Sequence, residues 1–402
     1  MSREALDRLR LQQALDLAHD AIGVSEPNPR VGCVIGTEDG RVFGVGSTQQ
    51  AGGPHAEAVA LRAAANAGHA LRGATAWVTL EPCAHYGRTP PCCDALVAEG
   101  LARVVVAVAD PFPGVCGEGI ARLRAAGIQV DAAPDDLAAA AWDLNVGFFS
   151  RMLRQRPWVR LKVATTLDGR TGLENGLSQW ITGADARSDG HAWRRRASAV
   201  LTGIGTVLAD DPQLDVRLVP SNWQPTRVVV DSGLRMPDSA RLLSRPGQVL
   251  VVAAGADGER RAALQGRGVE VLNLPIRTAA GGRPAVDLCA LLATLAARGV
   301  NELHVEAGPR LNASLLMANL VDELLVYVAA SLVGPGQGMV AWPPLQTLAS
   351  RSQWVFKSAT PVGDDLRLIL RPRDAAFGLF SARLTVSENF TRPRPPESGE
   401  ST

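Results

Sequence analysis

Apolar and polar positions alternate along the chain with two periods, near 3.6 and near 2, and Gly and Pro punctuate the change from one to the other. In the first 150 residues this pattern predicts an amphipathic helix over 3–21 and a Pro-rich loop leading into a strand at 31–35. A second strand follows at 41–45, then an alanine-rich helix from Glu57 to Asn66 with His55 at its start. Residues 76–80 read as a buried strand, and Pro91 stands before Cys92 as a proline stands at the first turn of a helix. A buried strand at 103–109, a helix at 119–126, a strand beginning at Gln129-Val130 and a helix over 136–154 complete this half. Strands alternating with helices predict a layered α/β/α domain.

A new strand begins after Gln155-Arg156-Pro157, so the domain boundary is placed near residue 150. The second half, 151–373, reads as strands at 158–163, 198–203, 227–231, 248–253, 269–272, 302–306 and 323–330. Helices at 184–196, 285–298 and 312–318 lie between them. No period of 20–50 residues repeats, which argues against a solenoid. Over 374–402 the apolar periodicity fades, and TRPRPPESGEST has the composition of a disordered tail.

With 402 residues and 46% hydrophobic content, two α/β domains are expected rather than one core. A net charge of +1 and 4% aromatic residues give no electrostatic case for nucleic acid or an acidic membrane. No apolar run reaches membrane-spanning length, and the charged first 18 residues lack a signal peptide's apolar core. Six cysteines, two of them adjacent, do not form a disulfide framework, and the expected location is the cytoplasm. Cys33, Cys93 and Cys116 read as small core residues, and Trp77 and Trp142 as core aromatics. Among 41 basic residues, only Lys162 and Lys357 are lysines, so a position that needs a titrating amine stands out.

The chemistry concentrates between His55 and Cys92. His-x-Glu followed by Pro-Cys and a second cysteine is the pattern of a zinc-dependent base deaminase. His55, Cys83 and Cys92 supply three ligands, which leaves a tetrahedral zinc one position for water. The metal lowers that water's pKa to about 7. Glu57, beside the metal without binding it, is the expected proton carrier. A purely structural zinc would need a fourth protein ligand, for which Cys93 is the nearby candidate. Asn28 in the Pro-rich loop reads equally as a contact to a base edge and as a turn former.

In the second half no G-x-G-x-x-G opens a βαβ unit. LTGIGTVLADDP (201–212) and HVEAGPRLNASLL (304–316) each run from a strand into small residues and a turn, and the second places a glycine at a helix N-terminus where anions bind. Taken in order, PNPRVGCVIG, HAE, LEPCAHYGRTPPCCDAL, LKVATTLDGR, SQWIT, TVLADDP and VEAGP resemble the bifunctional deaminase–reductase family of riboflavin biosynthesis over residues 5 to 373.

The resemblance implies a cytidine-deaminase-like domain fused to a dihydrofolate-reductase-like domain. It implies hydrolysis of the 2-amino group of 2,5-diamino-6-(5-phosphoribosylamino)pyrimidin-4-one, followed by NADPH-dependent reduction of the ribosyl side chain to ribityl phosphate. It also implies a small phosphorylated pyrimidine as partner, with zinc and NADPH as cofactors, and a homo-oligomer is expected. The family's NADPH positions fall on Ala164, Trp180, Thr206, Asp210 and Ser232, and on Gly308, Pro309, Arg310, Leu311, Asn312, Ala313 and Ser314. Its substrate positions fall on Lys162, Ser178, Arg194, Leu214, Arg217 and Glu306, with Arg194 and Arg217 suited to clamp a phosphate. His85 and Arg88, in the eight residues between the cysteines, are candidates for substrate contacts or for fixing the loop. Thr166 stands where the family has serine, and Asp168 is given no chemical role.

Overall fold

The computed structural model describes residues 1–86, 90–111, 116–255, 258–278 and 284–373. Arg88 and the tail expected from residue 374 lie outside them. The chain divides into two compact units between Arg154 and Gln155.

The first unit runs α1 (Arg3–Asp20), β1 (Gly32–Gly36), β2 (Val42–Ser47), α2 (Ala56–Asn66), β3 (Thr75–Val78), α3 (Cys92–Ala98), β4 (Arg103–Val106), α4 (Glu118–Ala125), β5 (Gln129–Ala132), α5 (Asp135–Leu144) and α6 (Val146–Arg154). Among the described residues its five strands form one sheet in the order β2-β1-β3-β4-β5, antiparallel at β2-β1-β3 and parallel beyond. Gly32 lies under α1 and Gly46 under α2, and because Cys33 is the register partner of Gly46, the two helices cover opposite faces. This is the expected α/β/α layering. Ser2 caps α1, its Oγ accepting from Ala5 N at 3.2 Å. Buried Asp7 on α1 takes two hydrogen bonds from Arg103 (2.7 and 2.8 Å) and one from Trp77 Nε1 (2.7 Å), so Trp77 is core as expected. Trp142 is also buried, stacked on Phe149.

The single helix expected over 136–154 is instead α5 and α6, divided at Asn145. That side chain accepts from Arg30 N (2.7 Å) and donates to Arg30 O (2.8 Å), serving the Pro-rich loop as an adjoining strand would.

The second unit runs β6 (Trp158–Thr166), β7 (Arg170–Leu173), α7 (Ala184–Arg196), β8 (Ala199–Gly203), α8 (Ile204–Asp210), β9 (Thr226–Val230), β10 (Val249–Ala253), α9 (Gly258–Gly266) and β11 (Glu270–Asn273). It continues with β12 (Ile276–Thr278), β13 (Pro284–Val286), α10 (Leu288–Ala297), β14 (Glu302–Val305), α11 (Pro309–Met317), β15 (Glu323–Ala329), β16 (Gly336–Gly338), β17 (Trp354–Val362) and β18 (Asp365–Pro372). The main sheet has the order β11-β10-β9-β8-β14-β6-β15-β18-β17 among the described residues, parallel from β11 to β15 with an antiparallel β17–β18 hairpin at its edge. Expected strands stop at residue 330; the hairpin goes unread because β17 is half-exposed or exposed throughout, with no apolar alternation. The helix expected from 285 starts at Leu288, where Asp287 caps it by accepting from Cys289 N and Ala290 N.

The two faces of the central strands differ. Val159, Leu161, Val163, Leu303 and Val305 enter a hydrophobic core. The alternate positions are mostly polar: Arg160 and Lys162 on β6, Glu302 and His304 on β14, Glu323 and Tyr327 on β15, with Leu325 between the last two. This polar face is buried beneath α7. Arg160 lies between Glu302 and Glu323, with its guanidinium 4.3 Å from the Trp193 ring centroid.

Candidate active sites

A cavity in each unit gathers residues singled out in the sequence. In the first, His55 stands at the N-cap of α2, and Cys92 opens α3 after Pro91. His55 Nδ1 lies 3.6 Å from Cys83 Sγ and 3.4 Å from Cys92 Sγ. Cys92 N donates to Cys83 Sγ at 3.3 Å, which favours a thiolate there. Hydrogen bonding from Cys92, then from His55, draws the Cys83 thiol down to about 4. The same shared proton, together with burial, pushes Cys92 upward. Three N and S donors within 4.8 Å of one another suit one zinc ion, and among the described residues this is the only such group.

Glu57, on the first turn of α2, is buried beside this cluster and lines the cavity of about 240 Å³; burial pushes its carboxyl up to about 7. Asn28 and His85 line the same cavity, and Phe148 and Met152 of α6 close its apolar side. The cavity walls also include Glu81, Asp110 and Thr48, which sequence reasoning missed. Cys93 is directed elsewhere, with Sγ 3.7 Å from Asp94 Oδ1, and so gives the cluster no fourth ligand. Cys33, Cys93 and Cys116 are all buried.

In the second unit a cavity of about 600 Å³ lies at the C-terminal ends of β6, β8 and β14. It brings together Lys162, Ala164, Ser178, Trp180, Arg194, Thr206, Asp210, Arg217, Glu306, Gly308, Pro309 and Asn312. Leu214, Ser232, Arg310, Leu311, Ala313 and Ser314 do not line it. Leu214 is buried in a left-handed conformation, and Leu311 packs toward Gly203. Ser314 Oγ returns to Arg310 O at 3.0 Å.

At the cavity's polar end, Arg194 Nη2 donates to Glu306 Oε2 at 2.9 Å while Nε donates to Oε1, and Nη1 donates to Asp215 O at 3.0 Å. Burial pushes the Glu306 carboxyl up, but the charge and hydrogen bonds of Arg194, aided by His304 and Lys162, hold it well below its usual range. Lys162 Nζ lies 4.0 Å from Glu306 Oε2, and burial lowers its pKa. Arg217 Nη1 donates to Asp215 Oδ1 at 2.6 Å, and its side chain is 36% exposed. Of the two arginines expected to clamp a phosphate, then, Arg194 has its fork on Glu306 and Arg217 is the more open. His191 and Arg187 also face the cavity, Arg187 4.7 Å over the Trp180 ring. Neither carries a sequence signal beyond its helical spacing from Arg194.

Residues 5–108 match the cytidine and deoxycytidylate deaminase zinc-binding region, and residues 157–368 match the RibD C-terminal domain. The chain is 42% identical over 377 residues to the riboflavin biosynthesis protein RibD of Escherichia coli (strain K12), covering 90% of this chain and 99% of that protein. The chain belongs to the RibD family. The RibD of Aquifex aeolicus (strain VF5) is 40% identical, covering 84% of this chain and 90% of that one. Acinetobacter baumannii RibD, form 1, superposes with a TM-score of 0.81 at 39% identity, covering 92% of this chain and all of that one. The deaminase/reductase of Thermotoga maritima also gives 0.81, at 30% identity and the same coverage.

Like its RibD relatives, the chain joins a deaminase domain to a reductase domain, and it is a bifunctional riboflavin biosynthesis enzyme that uses zinc and NADPH. The donor set fits the metal, as described. The larger cavity fits the nucleotide: the first turn of α11 at Gly308-Pro309 has no side-chain cap, leaving its N–H groups for phosphate oxygens. Asn312 Oδ1, buried at the cavity wall, has no hydrogen-bond partner among the described residues. No helix among the described residues is long and apolar enough to cross a membrane.

Proposed function

We propose that the first cavity hydrolyses the 2-amino group of 2,5-diamino-6-(5-phosphoribosylamino)pyrimidin-4(3H)-one and that the second reduces the ribosyl chain of the product. The observation that carries this reading is the buried Glu57 carboxylate set against the His55, Cys83 and Cys92 donor cluster, in a chain that also holds the Lys162–Glu306–Arg194 group.

His55, Cys83 and Cys92 would hold the zinc, which supplies Lewis acidity when bound. Glu57 takes one proton from the attacking water and delivers it to the ring nitrogen, then takes the second proton from the new hydroxyl and delivers it to the departing amine. The carbon–nitrogen bond breaks, ammonia leaves, and the ring carbon becomes a carbonyl. Asn28 and His85 line this cavity where they can hold the pyrimidine.

In the second cavity, NADPH supplies a hydride when bound. Ala164, Trp180, Thr206 and Asp210, with Gly308, Pro309 and Asn312 at the start of α11, would hold it. Lys162 contacts the sugar and stabilises charge near C1′, and Glu306 keeps Lys162 and Arg194 in place. Ser178 and Arg217 complete the substrate side, with Arg217 on the phosphate.

We assign the unit that ends at Arg154 to the deaminase and residues 155–373 to the reductase, in a cytoplasmic homo-oligomer. The test follows ammonia release and NADPH oxidation separately on the purified protein, with wild type and Glu57→Ala. Zinc retained in Glu57→Ala with ammonia release lost supports the assignment; unchanged ammonia release overturns it. NADPH left unconsumed by wild type after ammonia appears would sink the reductase half.

A further inference from the structure

The backbone around Cys83 is held on three sides by a single helix. Glu81 is buried, and its N–H donates to Val108 O at 2.9 Å, aligning it along the end of β4. Its carboxylate then bridges two segments. Oε2 accepts from Asp110 N (3.0 Å) and Gly117 N (3.0 Å), and Oε1 accepts from Ile120 N (3.1 Å) inside the first turn of α4. The next residue, Pro82, presses its carbonyl against Gly119, where an added Cβ would stand 2.0 Å from Pro82 O. Beyond the cysteine, Ala84 O accepts from Arg122 Nη1 at 3.0 Å, and Arg122 Nε pairs with Asp94 of α3 at 3.1 Å. Residues 81, 82 and 84 are therefore each fixed to α4, and Asp94 ties α4 to the helix that carries Cys92.

We propose that α4 is a splint for the metal-ligand loop, with Glu81 and Arg122 as positioning residues that set how tightly the His55–Cys83–Cys92 cluster retains its metal. The helix lies outside residues 5–108, the stretch that matches the general deaminase zinc-binding region. Its N-cap and the chain just beyond β4 meet at Glu81, since Asp110 N and Gly117 N both donate to one oxygen. A ligand loop without such an anchor would sample several sulfur positions, and metal retention depends on holding one. Glutamine at position 81 keeps the side chain's size but replaces one acceptor oxygen with an NH₂ that faces backbone donors, so the bridge cannot be completed.

This inference rests on the zinc reading above. The experiment measures zinc release from the purified holoenzyme to a chromogenic chelator, with ammonia release as a second readout and NADPH oxidation as the control for folding of the second unit. Outer-sphere supports are typically worth ~10–100-fold in metal affinity or activity. Glu81→Gln is expected to release zinc ~10–100-fold faster and to lower the deaminase kcat similarly, with KM within ~3-fold. Should Glu81→Gln fail to fold, Arg122→Ala, at a half-exposed position, decides: it is expected to release zinc about 3–10-fold faster, with Arg122→Lys restoring part of the retention. Zinc held as tightly as in wild type by Arg122→Ala, or by a folded Glu81→Gln, overturns the splint while leaving the deaminase intact. A wild-type protein that deaminates without bound zinc would instead remove the reading beneath it.

Discussion

Arg194 holds both oxygens of Glu306, a residue 112 positions away, with Nη2 at 2.9 Å from Oε2 and Nε on Oε1. Both side chains are mostly buried, so removing either charge strands the other. Glu306→Gln is expected to destabilise the second unit by about 3 kcal/mol. Lys162 loses its nearest anion in the same step. The reductase kcat should therefore fall by at least about tenfold, with ammonia release unchanged. A reductase rate within twofold of wild type would mean that Glu306 only staples α7 to the sheet.

Arg217 stands differently. Its guanidinium is bound through one nitrogen to Asp215, which Arg245 shares at 2.8 Å, and it remains 36% exposed at the cavity. Arg217→Ala should raise the reductase KM for the phosphorylated intermediate by about 10–100-fold, as expected for a charge-assisted phosphate contact. The effect on a dephosphorylated analogue should be slight. An equal rise for both substrates would assign Arg217 to the scaffold.

The zinc cluster was legible in the sequence because ligand chemistry admits few residue types, and because Pro82 and Pro91 mark where strand and helix bring the cysteines round. The reductase site was legible only through motifs. In RLKVA and ELHVE the period of two is plain, yet a polar face turned to solvent and one buried under α7 read alike. The pairing of Arg194 with Glu306 is fixed by the parallel register of β14 with β6 and by the seat of α7, neither of which is local. The same holds for Glu81, whose partners Asp110, Gly117 and Ile120 lie 29 to 39 residues on.

Buried His191 gives the second unit an acid sensitivity of definite sign. Burial, then the charges of Arg194 and Arg217, lower its pKa from 6.5 to about 4, and its Nδ1 accepts from Arg217 N at 3.1 Å. Unfolded chains thus bind a proton at this residue between pH 6.5 and 4 that the folded protein refuses. Its contribution is complete above 6.5 and is lost as pH falls toward 4, by at most about 3 kcal/mol. His191→Asn, which keeps an acceptor near the Nδ1 position, should flatten the fall of the urea midpoint over this window. A slope identical to wild type would assign the acid loss to other groups.

Metal removal should separate the two activities. Chelation, or Cys92→Ser, is expected to abolish ammonia release, because the remaining donors leave the cluster a ligand short. NADPH oxidation should continue when the deaminated intermediate is supplied directly, since the second cavity is lined wholly by residues of the second unit. Re-addition of zinc should restore ammonia release to the chelated wild type and not to Cys92→Ser. Loss of both activities on chelation would show that the metal supports more than the first cavity.

The helix that carries Glu57 can reach its place only because β2 has no side chains beneath it. Gly44 and Gly46 both point toward α2, and a Cβ at Gly46 would lie 2.3 Å from Ala56 O and 2.6 Å from Ala60 N. Those are backbone atoms, so no rotamer change relieves the contact, and α2 must lift from the sheet. His55 and Glu57 flank Ala56 and would move with it. Overpacking of this kind typically costs 1–3 kcal/mol, so Gly46→Ala should destabilise the first unit by about 2 kcal/mol. Its deaminase half-inactivation temperature should fall by several degrees, with kcat reduced even where the protein remains folded. Reductase inactivation should keep its wild-type temperature. A variant that loses stability while retaining full kcat would show that α2 moves as a rigid body with both cysteine segments, and that the glycine pair serves packing alone.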